Sequence, residues 1–395
     1  MSKKLAIYCD CDSDSGMLTY TLMLIAALKN HTDVNTLVIS SSARNPQEQT
    51  RLEKLSLNAQ EVVVLPRDYS SAKAAAKAMA EIIIEREVNF FIPNYRYMPH
   101  VVLSYLPRKI KNIVIVHNDT GEIYQSIRFY KSAIDGVIYP SHSAYSNSHL
   151  NIPAGLKRAC IPHYFNSLGE VVDETGEKRR TLEIVYHGRV AHHQKKSMEL
   201  LKIAQHLNEL GTAFSFKIIG SGDAFDDMKK RIEDESIENV KLLGQVSRDQ
   251  LYAHLKEANI ALSTSIFEGF CYSVAEALSL GVVPVAYENN VLGDLIQNDR
   301  NGYLVPWGSA NLAAERIHYL YLNPQKRLAM RKAGIESVNS LNSSRRYVDE
   351  MMSFFNLIES QPLRKSWSPF RPRGLQYDSF ISRIIAKFGK KLNLW

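Results

Sequence analysis

The stretch from Ile260 to Ala286 constrains the fold more than any other. Ile260-Ala261-Leu262-Ser263 reads as a short buried strand, Ser273 to Leu280 as a helix stopped by Gly281, and Val282-Val283-Pro284-Val285-Ala286 as the next strand. A strand, a helix and a second strand packed this closely make a crossover unit, and a crossover unit requires a parallel sheet. The loop Phe267-Glu268-Gly269-Phe270-Cys271-Tyr272-Ser273 then falls at the carboxyl end of a strand, where open parallel sheets bind ligands. The helix after it offers free N–H groups and a partial positive charge to an anion. Two carboxylates bracket that anion position, Glu268 in the loop and Glu276 about one turn inside the helix. A diphosphate at the helix mouth leaves both free to accept hydroxyl hydrogen bonds, which fits a nucleotide sugar.

The rest of the chain repeats the same alternation. Leu5 to Tyr8, Thr36 to Ser40, Val62 to Leu65, Phe90 to Ile92, Ile113 to Val116 and Gly136 to Tyr139 read as strands, with helices over Met17 to Lys29 and Ala72 to Glu87. Asn166 to Arg180 is charged, poor in apolar residues and reads as a linker. A second series follows, with strands at Leu182 to Tyr186, Phe214 to Ile219 and Val240 to Leu243 ahead of the crossover. At 395 residues two domains are expected rather than one.

Charge placement excludes one class of partner. The net charge is +7, and the segment from Arg364 to Trp395 carries all of it, with eight basic residues and one acid. The first 363 residues are neutral overall, which removes the main support for nucleic-acid binding. No apolar run is long enough to span a bilayer, and the N-terminus runs straight into a strand, so a cytoplasmic location is expected. Cys9, Cys11, Cys160 and Cys271 lack zinc or redox spacing and read as reduced thiols.

Glu268 and Glu276, with seven residues between them and Gly-Phe after the first, resemble the E-x7-E motif of the retaining GT-B glycosyltransferases of family GT4. The flanking Ser-Val-Ala-Glu-Ala-Leu-Ser-Leu-Gly-Val-Val-Pro-Val-Ala is similar to that family's helix and next strand. The resemblance covers nearly the whole chain and implies an α/β fold of two Rossmann-like doubly wound domains facing a central cleft. The expected division is 1–168 for the acceptor side, 169–180 for the linker, 181–360 for nucleotide-sugar binding and 361–395 for a basic segment crossing back to the first domain.

Companion motifs stand upstream in order. In Tyr186-His187-Gly188-Arg189, Gly188 permits a tight turn after a strand, and Arg189 can grip a phosphate with its guanidinium fork. The family pattern continues with Lys-Gly; here Lys195-Lys196 follows, so Lys195 is the expected phosphate ligand and Lys196 the alternative. Gly220-Ser221-Gly222 resembles the family's turn beside the donor, and Val246 in Leu243-Gly244-Gln245-Val246 the segment whose backbone contacts the base. His117 ends a strand and, by resemblance, approaches the donor sugar; Cys160 to Phe165 reads as structural. Gly16, with Ser15 before it, is what remains of the family's glycine pair near the donor. Donor contacts are thus expected from Gly16, Gly188, Arg189, Lys195, Gly220, Val246, Glu268, Gly269, Phe270, Cys271, Tyr272, Ser273 and Glu276, and chemistry from His117, Arg189, Lys195 and Glu268.

Asp10-Cys11-Asp12-Ser13-Asp14 needs weighing separately. As a phosphatase nucleophile loop it lacks a placeable Lys and acidic pair, and as the metal-binding Asp-x-Asp of GT-A transferases it stands too near the N-terminus. The remaining reading is a loop whose carboxylates favour the next helix start. His192-His193 has no carboxylate at useful spacing, so no metal and no cofactor are expected.

The implied function is transfer of a sugar from a nucleotide-diphosphate sugar, UDP before GDP, to a glycan, lipid-linked or other acceptor, with bacterial surface polysaccharide or lipopolysaccharide synthesis as the setting. A GT-B sugar-nucleotide epimerase and a catalytically silent GT-B binding subunit are the rivals. In the tail, Ser379 to Leu392 puts Phe380, Ile381, Ile384, Ile385, Phe388 and Leu392 on one helical stripe with Arg383, Lys387, Lys390 and Lys391 outside it. That helix is expected to pack on the first domain while showing an anionic membrane surface its basic face.

Overall fold

A computed structural model describes residues 2–12, 16–94, 98–148, 152, 153, 155–165 and 181–362. The linker, Asp14, Ser15 and the amphipathic tail lie outside the described residues.

Two all-parallel sheets form. The first contains β1 (Lys4–Tyr8), β2 (Asn35–Ser41), β3 (Glu61–Leu65), β4 (Phe90–Ile92), β5 (Lys111–Ile115), β6 (Gly136–Tyr139) and β7 (Lys157–Cys160) in the order 3-2-1-4-5-6-7. The second contains β8 (Leu182–His187), β9 (Phe214–Ile219), β10 (Val240–Gly244), β11 (Ile260–Ser263), β12 (Val283–Tyr287) and β13 (Tyr303–Val305) in the order 10-9-8-11-12-13. Strands β4, β5, β6, β11 and β12 are buried along their whole length, as central parallel strands covered on both faces must be. Each order reverses once, between β1 and β4 and between β8 and β11, and each reversal opens a crevice at the strands' carboxyl ends.

The α/β architecture and doubly wound sheets agree with expectation. Two edge strands do not appear among the expected ones. β7 starts Lys157-Arg158 and lacks an apolar run, and β13 has three residues. Both are placed by pairing with a longer neighbour rather than by their own pattern.

The helix Ser344–Glu359 is a second departure. Residues 344–359, assigned on sequence to the second domain, pack on the first sheet. Tyr347, Val348, Met351, Phe354, Phe355 and Ile358 share one buried cluster with Leu5, Ile7, Phe90 and Ile113 of the first sheet. Phe355 stacks on Phe90 with ring centroids 4.6 Å apart, and Tyr347 donates its hydroxyl to Tyr20 at 3.0 Å. Gly136 of β6 admits the helix, because a Cβ there would stand 2.7 Å from the Phe354 ring. Lys3 pairs with Glu359 at 2.6 Å at the rim. This helix thus makes a crossing to the first sheet, while the crossing expected of residues 361–395 lies outside the described residues.

Phe355→Ala is expected to destabilise the protein by about 3–5 kcal/mol, since it deletes a fully buried ring from a packed cluster. Equilibrium urea unfolding measures this, and a loss below about 1 kcal/mol would mean that the helix does not dock on the first sheet.

Further contacts join the halves near the crevice. Asp294, from the second half, accepts from the backbone N–H of His142 and Ser143 and from Ser143 Oγ. No helix among the described residues is long and apolar enough to cross a membrane.

Candidate functional site

The site grows from the ends of β8, β9 and β11. After β8 the chain turns at Gly188 into Arg189, and after β9 it turns at Gly220. The two turns press together. A Cβ on Gly220 would lie 1.9 Å from the Gly188 carbonyl oxygen, and the φ of +134° also excludes other residues. The pair of turns leaves Arg189 exposed at the crevice, its Nη2 donating to Gln194 Oε1 at 2.7 Å. Gln194 in turn donates through Nε2 to the Phe267 carbonyl at 3.0 Å, which ties the Arg189 loop to the Glu268 loop.

Lys195 Nζ donates to Glu268 Oε1 at 2.5 Å, with both side chains largely buried. Burial alone would lower the lysine pKa; the Glu268 carboxylate and smaller neighbouring contributions outweigh it, and the ammonium is held above its ordinary range. Lys196 has φ +47°, the left-handed conformation glycine favours, so it fills the glycine position of the Lys-Gly pattern and Lys195 is the residue that reaches the site.

Glu276 lies in the helix Tyr272–Ser279, where Oε2 accepts from His187 Nε2 at 3.2 Å and Oε1 stands 3.5 Å from Arg248 Nη2. The helix begins after Cys271 at φ +69°, with no side-chain cap, which leaves its first N–H groups to a ligand or water. The Cys271 thiol is pushed up to about 11 by burial and by Glu268, so it stays protonated and is no nucleophile.

The first sheet closes the other wall. Gly269 passes so near His117 that a Cβ would stand 2.0 Å from the His117 carbonyl oxygen. Asp119 N–H donates to the Glu268 carbonyl at 3.2 Å. Thr21 Oγ1 donates to the Met17 carbonyl at 2.8 Å and accepts from Asn94 Nδ2 at 3.1 Å, which turns Asn94 Oδ1 toward His117 Nε2 at 2.9 Å. His117 Nε2 therefore carries the proton and Nδ1 the lone pair. Burial pushes the ring's pKa down to about 3, so it works as a neutral imidazole. Gly16 opens the first helix, Gly16–His31, with the Tyr272 ring 3.8 Å from where its Cβ would be. Tyr272 also stacks on the buried His163 at 5.8 Å, between the two halves.

The expected residues therefore converge, with one exception. Val246 packs beside Leu251 and Tyr252 on the apolar cluster behind the helix Tyr272–Ser279, through Ala277 and Leu280. Its backbone role stays an expectation. The functional neighbours that the sequence reading left without roles are His187, Gln194, Arg248 and Asn94. His187 stood inside a quoted motif, next to the glycine; the other three carried no signal of their own. In the Asp10 loop, Asp10 accepts from Arg67 at 2.8 Å, from Tyr8 of β1 at 3.1 Å and from Ser41 of β2 at 3.2 Å, while Asp14, beside the helix start, lies outside the described residues. His192, expected to lack a carboxylate, has one from a distant helix, Asp227 at 2.9 Å. Among the described residues no three His, Cys, Asp or Glu side chains gather into a metal-binding group.

Residues 170–337 match the family model for glycosyl transferases group 1. The amylovoran biosynthesis glycosyltransferase AmsK of Erwinia amylovora is 32% identical over 115 residues, 27% of this chain and 28% of that protein. The poly(ribitol-phosphate) alpha-N-acetylglucosaminyltransferase of Staphylococcus aureus is 28% identical over 159 residues, 40% of this chain and 32% of that one. The chain thus spans about three tenths of the length of these curated relatives. In structure it is similar to the pneumococcal O-GlcNAc transferase GtfA, solved with UDP and GlcNAc, at a TM-score of 0.75 and 12% identity over 91% of this chain and 100% of that one. This last likeness is one of fold. Residues 170–337 are thus similar to the glycosyl transferases group 1 family, and the two doubly wound sheets have the GT-B fold.

Proposed function

We propose that this protein is a retaining glycosyltransferase that moves a sugar from a nucleoside-diphosphate donor, a UDP-sugar before a GDP-sugar, to a hydroxyl of a glycan, lipid-linked or other acceptor. One observation carries the reading. Three cations (Arg189, Lys195 and Arg248), two carboxylates and an uncapped helix start meet in a single crevice at the reversal of a parallel sheet.

Each group then has one task. Arg189, Lys195 and the helix start stabilise the charge that grows on the leaving diphosphate as the anomeric C–O bond breaks. Glu276, held by His187, accepts the ribose hydroxyls. Glu268 and the neutral His117 hold sugar hydroxyls. The acceptor oxygen attacks the anomeric carbon from the leaving-group face, a phosphate oxygen takes the acceptor's proton, and the new glycosidic bond keeps the anomeric configuration. Packing of the first sheet against the Glu268 loop excludes water and limits donor hydrolysis. No step in this scheme routes through a metal ion.

UDP in the GtfA complex supports the choice of base, and relatives named for amylovoran biosynthesis and poly(ribitol-phosphate) support a surface-polymer acceptor. The basic segment after Arg364 would bring the enzyme to anionic lipid, where lipid-linked acceptors reside.

A thermal-shift screen against UDP-, GDP- and ADP-sugars in EDTA tests the reading. A donor at 100 times its dissociation constant adds about 2.7 kcal/mol, so one nucleotide class is expected to raise Tm clearly with the chelator present. No shift with any class removes the donor-site assignment. A shift that appears only with magnesium or manganese turns attention to Asp10 and Asp12 as a metal site.

A further inference from the structure

We propose that the Lys195–Glu268 ion pair makes this site select a glycosylated nucleoside diphosphate over the free nucleoside diphosphate. The inference rests on the donor reading above and deepens it.

The two groups assigned to different parts of the donor already hold each other. Lys195 Nζ and Glu268 Oε1 are 2.5 Å apart, with side chains 16% and 9% exposed. A pair this buried cannot be opened without a replacement for each partner, because an unpaired charge left in a dry site is strongly unfavourable. A sugar nucleotide supplies both replacements. Its diphosphate takes the ammonium, and its sugar hydroxyls donate to the carboxylate. A free nucleoside diphosphate supplies one. It competes for Lys195 but offers Glu268 no donor, and it sets a second negative group beside the carboxylate.

The surroundings give Glu268 little else to turn to. The backbone of the loop is tied by Asp119 N–H on the Glu268 carbonyl. Gly269 against His117 prevents the loop from swinging toward the first sheet. On the lysine side, the Lys195 carbonyl accepts from Thr264 Oγ1 at 2.7 Å, which fixes its backbone at the end of β11. The raised ammonium pKa agrees with a pair that is tight in the empty site.

The same exchange serves turnover. Once the sugar has left, Glu268 loses its hydroxyl donors and recaptures Lys195. The diphosphate then loses a cation at the moment it must leave, which favours product release.

Isothermal titration of the full chain with UDP and with UDP-glucose tests this, in the wild type, Glu268→Gln and Glu268→Ala. Both variants are expected to bind UDP about tenfold more tightly than the wild type and UDP-glucose more weakly, so the preference inverts. In a Lys195→Met background the Glu268→Gln change is expected to give less than half that gain, since no ammonium is left to release. Thermal melts check folding; a variant with lower apo Tm and a larger shift with UDP fits the proposal. UDP affinity unchanged or weakened in both folded Glu268 variants overturns it. If the wild type binds neither UDP nor UDP-glucose, GDP and GDP-mannose replace them. Failure of both nucleotides in the wild type contradicts the donor reading itself, and with it this inference.

Discussion

Glu276→Ala and Arg189→Ala are each expected to reduce transfer ten- to a hundredfold while leaving the protein folded. Glu276 gathers its partners from three segments, with His187 at the end of β8, Arg248 at 3.5 Å and its own helix below. A carboxylate held this way is preorganised to accept two hydroxyls, and its removal forfeits charge-assisted hydrogen bonds of about 1.5–3 kcal/mol. Arg189 is exposed and held by a neutral amide rather than a carboxylate, so its charge is available to a phosphate. Its loss removes stabilisation from the transition state, where the leaving diphosphate carries most charge, so kcat falls as well as donor affinity. At about 1.36 kcal/mol per decade these magnitudes give the stated range. Rates at saturating acceptor and limiting donor measure it. Near-normal turnover in either variant removes that residue from the donor site.

Gly269→Ala is expected to reduce transfer about a hundredfold although no charge is touched. The added Cβ would meet the His117 carbonyl oxygen at 2.0 Å, more than an ångström inside van der Waals contact. Backbone must move, and the loop that carries Glu268 moves with it, away from His117 and Asp119. A displacement of about 1 Å in a reacting constellation is enough for a hundredfold loss. Nucleoside-diphosphate binding is expected to change less than turnover, because the turn that carries Arg189 is fixed on the second sheet against Gly220. Gly293→Ala is the control: a Cβ there meets nothing within 4 Å, and activity is expected to stay within about twofold of wild type. Equal losses of binding and turnover in Gly269→Ala would place the damage in the whole fold instead of the loop.

The parts of the site that could be read from sequence are those compressed into one crossover. Glu268 and Glu276 share a loop and a helix, so their spacing alone places them around an anion. Arg189 and Lys195 were visible because a glycine and a basic pair directly follow a strand. The interleaving of a parallel sheet hid the rest. β8 lies beside β11 only because β9 and β10 are laid down on the other side, so nothing local to His187 announces Glu276 as its partner. Asn94 is similar; its amide is oriented by Thr21 from the helix Gly16–His31, and its φ of +47° becomes apparent only once the chain is folded.

The crossing helix shows a different limit. Ser344–Glu359 and the tail from Ser379 both carry apolar stripes, and amphipathicity does not say which surface each covers. What decides for Ser344–Glu359 is the gap left by Gly136 and the flat face of Phe90, and both exist only in the assembled sheet. His192 and Asp227 make the same point for charge. They stand 35 positions apart, beyond any spacing rule for metal ligands, yet their side chains meet.

The central claim is that this crevice breaks the anomeric bond of a nucleotide sugar and keeps its configuration. Proton NMR of the anomeric region tests it most directly, following UDP-glucose or GDP-mannose incubated with the protein without acceptor. The account predicts slow release of nucleoside diphosphate with the α-sugar appearing first, and release at least tenfold slower by Glu276→Ala. Release of the β-sugar first, or equal release by Glu276→Ala, would contradict it.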